Sequence, residues 1–154
     1  MNGAGYRGLN AATLSSTEIG YIQTHLRIID PLHGMLRPLD QIKQYRLEMK
    51  TKGLKALKNK KGGLAEFWSR EMTMSLIRDL EQQDRSSQDG KFILDLASVE
   101  YSSVLDRELL AEHGVSVFKM TIEGAAYDGK FGRGSAVRYC ARNNVRTPDD
   151  IFKF

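Results

Sequence analysis

Apolar residues recur at helical spacing just inside the chain: Ile19, Ile22, Leu26 and Ile29. Ser15 and Glu18 precede them as a capping-box pair, so the pattern predicts a helix from this point. Asp30-Pro31 predicts its end, because a residue before proline avoids the helical region. The first dozen residues are glycine-rich and read as a loop, and Leu32 to Lys50 reads as connectors around Pro38. A second long helix is expected from Leu64 to Leu80, with Phe67, Trp68, Met72, Leu76 and Leu80 as its apolar side. Asp84 to Gly90 has the composition of a turn.

Phe92-Ile93-Leu94-Asp95-Leu96 is a short apolar run between Gly90 and Ser98, which predicts a buried strand. A short helix from Leu105 to Glu112 should close at His113-Gly114, glycine suiting a left-handed cap. Val115 to Ile122 alternates as a strand does, and a last helix is expected from Ser135 to Asn144. Helices and strands are mixed, so the fold class is α/β (mixed α+β).

Composition narrows the class of protein. The 154 residues are 41% apolar and 27% charged, which suits one globular domain over residues 1–154 and excludes a disordered chain. Cys140 has no partner within the chain, so no disulfide framework exists, and a lone thiol fits a reducing compartment. No run approaches the roughly 20 apolar residues of a membrane span. The opening Met1-Asn2-Gly3-Ala4-Gly5-Tyr6 lacks the apolar core of a secretory signal. The expectation is a soluble, cytoplasmic protein without a membrane partner.

Charge changes the picture more than composition does. Met49 to Ala65 holds no acid and six lysines; Asp79 to Glu112 holds nine acids against three bases. Gly129 to Thr147 holds Lys130, Arg133, Arg138, Arg142 and Arg146 and again no acid. Two basic blocks flanking an acidic one can draw a polyanion to one face despite a net charge of only +4. The lysine run also fits a solvated glycine-rich loop. Arg138 and Arg142, four apart, would share a helix face.

Gly3-Ala4-Gly5-Tyr6-Arg7-Gly8 matches the dinucleotide fingerprint but has no strand ahead of it, which excludes that reading. Gly129-Lys130-Phe131-Gly132-Arg133-Gly134 precedes the expected last helix and sets two cations among glycines. It reads either as a phosphate-binding loop or as an ordinary turn. His25, His33, His113 and Cys140 lack ligand spacing, so neither a metal site nor a cofactor is expected. Arg37, Asp40, Tyr45, Arg46 and Glu48 concentrate charge in connector territory, and Ser98, Glu100 and Tyr101 follow a strand. Such positions hold ligands in α/β sheets, although Arg–carboxylate pairs also lock loops.

His25-Leu26-Arg27-Ile28-Ile29, Gly34-Met35-Leu36-Arg37-Pro38-Leu39-Asp40 and Tyr45-Arg46-Leu47-Glu48-Met49 together resemble the signature of the YaaA peroxide stress proteins. Tyr6, Gly8-Leu9, Phe67-Trp68, Leu96-Ala97-Ser98, Glu100-Tyr101, Lys130 and Arg133-Gly134 follow the same order. The resemblance implies a cytoplasmic protein that limits reactive, unincorporated iron under hydrogen peroxide and binds double-stranded DNA through a basic cleft. It implies no catalytic reaction. It also implies a curved mixed sheet wrapped by helices, incomplete here, because family members are longer at both ends. The absent N-terminal part carries the family's helix-hairpin-helix, so DNA binding should be weakened, and the chain reads as a fragment of a longer YaaA-like domain. Where the family has Lys-Lys-Ala-Arg-Gly this chain keeps Lys130 and Arg133, and Asp95 replaces the usual Asn, which would place a negative charge beside the cleft.

The leading expectation is therefore DNA binding, with Arg37, Arg46, Lys130, Arg133, Arg138 and Arg142 contacting phosphates in one groove. The alternative is an enzyme or small anionic-ligand binder. Arg37 and Arg46 would then hold the ligand, Glu48 or Glu100 would move protons, and Tyr101 or Ser98 would orient it. Burial could place the Glu100 pKa where a general base needs it. A third reading is direct iron sequestration by Asp40, Glu48 and Glu100, hard oxygen ligands. Missing sheet neighbours would leave strand edges open, so marginal stability and association into a homodimer are expected.

Overall fold

The computed structural model describes residues 3–57, 62–83 and 90–154. Its mixed α/β elements run α1 (Ala4–Leu9), α2 (Ser16–His25), β1 (Ile28–Asp30), β2 (Gly34–Leu36), α3 (Gly63–Gln83) and β3 (Lys91–Asp95). α4 (Val99–Ser102), α5 (Arg107–Glu112), β4 (Val115–Lys119), α6 (Ala126–Asn143) and α7 (Pro148–Ile151) complete them. Among the described residues the strands form two separate two-stranded sheets, β1–β2 and β3–β4, rather than one curved sheet. The chain divides into two compact units. One holds Met1–Arg27, Arg37–Leu39 and Lys119–Phe154; the other holds Ile28–Leu36 and Asp40–Phe118. Asp84 to Asp89, and Lys58, Lys60 and Lys61 of the lysine run, lie outside the described residues.

The first unit is helical and is organised on α6. This helix starts nine residues before the expected Ser135, so the glycine-rich stretch 129–134 is helix and not a loop. α1, expected as loop, packs on it so closely that glycine is the only residue that fits. A Cβ built on Gly134 would sit 1.8 Å from the Gly5 carbonyl oxygen, and one on Gly8 would sit 2.0 Å from that of Phe131. Glycine is a poor helix former by about 1 kcal/mol, yet here it lets two backbones touch, and tertiary contact overrides propensity.

α1 ends at Asn10, left-handed at φ 47°, where its N–H bonds the Tyr6 carbonyl at 2.9 Å. α2 opens with the capping box read from sequence: the Ser15 hydroxyl accepts from the Glu18 N–H at 3.2 Å and the Glu18 carboxylate from the Ser15 N–H at 2.6 Å. It stops at His25, however, and Ile28–Asp30 turns back as strand. The apolar spacing of Leu26 and Ile29 fits either structure over so few residues. What decides is the turn beyond. Asp30 Oδ1 accepts the N–H groups of Leu32 at 2.9 Å and His33 at 2.7 Å, and Gly34 takes φ 83°. The resulting hairpin pairs Ile28 with Leu36, Ile29 with Met35 and Asp30 with Gly34, antiparallel.

In the second unit α3 carries the core on its inward face. Leu64 and Met72 pack with Met49, Leu57 and Val104, and Leu76 and Ile77 pack with Leu105, Leu110 and Val115. Trp68 leans on this core and donates its indole N–H to the Pro31 carbonyl at 3.0 Å. Phe67, placed by sequence on the buried side, is 42% exposed and meets Trp68 edge to face. Asp106 caps α5 by accepting the Leu109 N–H at 3.0 Å, and Gly114 beyond its end takes φ 70°.

Candidate functional site

Arg37, Lys130, Arg133, Arg138 and Arg142 fall in the first unit and Arg46 in the second. Because residues 129–134 lie inside α6 beyond its first three residues, the phosphate-loop reading of that stretch does not hold: its amides bond within the helix. Arg133 folds back on its own helix, donating Nε–H to the Gly129 carbonyl at 2.8 Å. Arg138 donates to the carbonyls of Leu9 at 3.0 Å and Asn10 at 3.1 Å, at the C-terminal end of α1. Arg142 reaches Glu18 of α2 at 3.6 Å and stays half exposed. The four-residue spacing thus brings both arginines to neighbouring helices, where they tie α1 and α2 to α6. Lys130 is exposed, as is Arg7 on α1, and neither has an ion-pair partner among the described residues.

Arg146 adds a cation that sequence reading set within the basic block without a role. It donates to His25 Nε2 at 2.7 Å while its guanidinium lies 5.6 Å over the Tyr21 ring. His25 stacks on Tyr21 with centroids 4.2 Å apart, and its Nδ1 bonds the Tyr21 carbonyl at 2.8 Å. Nδ1 therefore donates and Nε2 accepts, which only the neutral imidazole can do. Burial, the Arg146 charge and the Arg27 charge hold the His25 pKa below its usual value, against the opposing bond to Tyr21.

The second unit gathers a cluster that sequence reading missed. Asp30, expected only to end a helix, is buried at the β1 turn and accepts the Tyr45 hydroxyl as well as His33 Nδ1 at 3.0 Å. Burial alone would raise its pKa, but the bonds from Tyr45, His33 and Leu32 outweigh that and hold the carboxyl below the usual range. Burial, then the bond to Asp30, pushes the Tyr45 hydroxyl well above its ordinary pKa. The Tyr101 hydroxyl is raised too, by burial and then by the charges of Glu100, Glu48 and Asp30. Both phenols stay protonated, and Tyr45 donates to Asp30. His33 turns Nδ1 to the carboxylate, and its side chain is 36% exposed. An Asp three residues before a His across a proline turn was the available signal.

The candidate catalytic residues are less sequestered than expected. Glu100 is only partly buried and accepts the Lys50 N–H at 3.1 Å. Glu48 is exposed, 3.5 Å from Lys50. Ser98 is the N-cap of α4 without a side-chain capping bond. Asp95 does not lie open beside a cleft: it is 4% exposed, and its carboxylate accepts from Arg107 at 2.7 Å, from the Ser102 hydroxyl at 2.5 Å and from the Ala97 N–H at 3.0 Å. Among the described residues no group of three or more His, Cys, Asp and Glu gathers closely enough to hold a metal ion, so Asp40, Glu48 and Glu100 do not form one. No described helix is long and apolar enough to cross a membrane.

Acid should act on the two units at different pH. The His25 pKa is depressed, so its contribution is present above its unfolded value of 6.5 and is lost as pH falls below it. The Asp30 pKa is also depressed, so its contribution persists to about its unfolded value of 3.8 and is lost below that. Amide exchange followed against pH should show α2 loosening first and the β1–β2 hairpin last. Simultaneous loss would contradict both assignments.

The chain is thus a mixed α/β protein with one helical unit braced by arginines and a second built around a buried carboxylate turn. The family described as Peroxide stress protein YaaA matches residues 1–154. The chain is 33% identical over 160 residues to a UPF0246 protein of Pseudoalteromonas translucida, covering 100% of this chain and 58% of that one. It is 38% identical over 155 residues to a UPF0246 protein of Shewanella piezotolerans, covering 97% and 57%. With one from Francisella tularensis the identity is 36% over 159 residues, covering 100% and 59%. The chain belongs to the YaaA/UPF0246 peroxide stress protein family, and it spans 57–59% of the length of these relatives.

Proposed function

We propose that the chain serves a hydrogen peroxide stress response by binding double-stranded DNA along the basic side of its first unit, and that the limiting of reactive iron follows from this role. The observation that carries the reading is the acid-free stretch Gly129–Thr147. Most of it is one helix, α6, so its cations are held at fixed spacing along a rod and not scattered over a loop. Arg138 and Arg142 brace α1 and α2. Lys130 and Arg7 are exposed for phosphate, and the exposed Arg37 belongs to the same unit, whereas Arg46 belongs to the second unit and is no part of this surface. The iron part rests on family membership alone.

The test is a salt titration of duplex binding. Each phosphate neutralised adds about 0.9 to the slope of log affinity against log salt. Lys130→Ala should lower that slope by about one such step and leave the fold intact, since the side chain is exposed. An affinity that does not change with salt would end the DNA reading. Equilibrium dialysis with ferrous iron separates an indirect iron effect from direct binding by the chain.

A further inference from the structure

Between α1 and α6, wholly within the first unit, lies a cleft of about 370 Å³ lined by Ala4, Arg7, Ala126, Tyr127 and Lys130. Its lining holds two small side chains, one aromatic ring and two cations. The Tyr127 ring, 52% exposed, runs nearly parallel to that of Phe131, centroids 6.2 Å apart and planes 19° apart, with Phe131 itself 41% exposed. The two cations, Arg7 and Lys130, have no ion pair among the described residues. The nearest acid in sequence, Asp128, is turned to the start of its own helix, accepting the Ala125 N–H at 3.2 Å. Exposed aromatic faces are costly to leave in water, and two uncompensated cations beside one favour an anion.

We propose that this cleft binds a nucleotide unit, its base stacked on Tyr127 and its phosphate held by Arg7 and Lys130. An aromatic face accepts any base and a guanidinium and an ammonium accept any phosphate, so the site is chemically specific for the class and tolerant of sequence. The inference goes beyond duplex binding, because a base inside a duplex is already stacked and cannot reach Tyr127. The ligand is a free nucleotide or an unpaired nucleotide of a strand.

Calorimetric titration of the whole chain with dAMP, ribose 5-phosphate, a single-stranded oligothymidylate and a closed hairpin duplex tests this. Tyr127→Ala should weaken dAMP or oligothymidylate about tenfold, and Tyr127→Phe, which keeps the ring, should not. Arg7→Gln or Lys130→Gln should weaken dAMP and ribose 5-phosphate alike. Tight dAMP points to a free nucleotide, and oligothymidylate binding without dAMP binding points to a strand. Ribose 5-phosphate as tight as dAMP, unchanged affinity in Tyr127→Ala, loss in Tyr127→Phe, or no binding of either nucleotide probe overturns the proposal. The hairpin reports on the duplex reading independently: its binding should be the same in wild type and Tyr127→Ala. Unchanged circular dichroism melting excludes misfolding of the variants.

Discussion

Gly134→Ala should detach α1 from α6 and cost about 3 kcal/mol or more, at or above the upper end of overpacking effects. The added methyl would lie 1.8 Å from the Gly5 carbonyl oxygen and 2.7 Å from the Leu9 nitrogen. Both are backbone atoms of the facing helix, so no rotamer change relieves the clash. α1 is only six residues long and cannot persist unpacked. Its carbonyl contacts to Arg138 would go with it. The control is on the same helix. A Cβ at Gly129 meets nothing closer than 3.8 Å, so Gly129→Ala should stabilise by about 0.5–1 kcal/mol through helix propensity. Urea unfolding followed by far-UV dichroism, with amide exchange at Leu9 and Asn10, reads both. Equal effects of the two substitutions would mean that α1 does not pack as described.

The same glycines show why the sequence was readable in some places and not in others. Read locally, Gly5 and Gly8, then Gly129, Gly132 and Gly134, look like loops, and local reasoning made them so. The information that turns them into helix lies in the match between two stretches more than a hundred residues apart. The capping box at Ser15, the apolar face of α3 and the strand ending at Asp95 were readable because each is fixed by neighbours in the chain. The end of α2 was not. Ile22, Leu26 and Ile29 continue a helical stripe, and the decision falls to a carboxylate that captures the turn after Pro31.

For function the pattern is similar. Charge segregation located the basic block, but sequence could not tell a guanidinium facing solvent from one bonded to backbone carbonyls. Arg133 and Arg138 are of the second kind in large part. Conversely the spacing of Asp30 and His33 hinted at a pair, but Tyr45, fifteen residues beyond Asp30, joins them only in the fold. The family signature, by contrast, was readable from His25 to Met49 because that segment holds the hairpin, its turn and the tyrosine that bonds it.

Asp95 offers the second large effect, and its sign depends on which partner is removed. Its carboxylate is buried at the end of β3 with Arg107 as its cation, the guanidinium side chain itself 44% exposed. Arg107→Ala removes the cation 2.7 Å from the buried carboxylate and should cost about 3 kcal/mol, the lower end for a broken buried pair because water reaches the arginine side. Asp95→Asn keeps the volume and removes the charge, and should cost about 1 kcal/mol as a weakened hydrogen bond. In the Asp95→Asn background Arg107→Ala should then cost well under 1 kcal/mol, since no charge is stranded. The single tryptophan, Trp68, belongs to the same unit and reports the urea transition of each variant by fluorescence. The coupling energy of this cycle separates charge from packing. If Arg107→Ala costs the same in both backgrounds, the guanidinium acts through its packing alone, and the pairing with Asp95 does not stabilise the α4–α5 region.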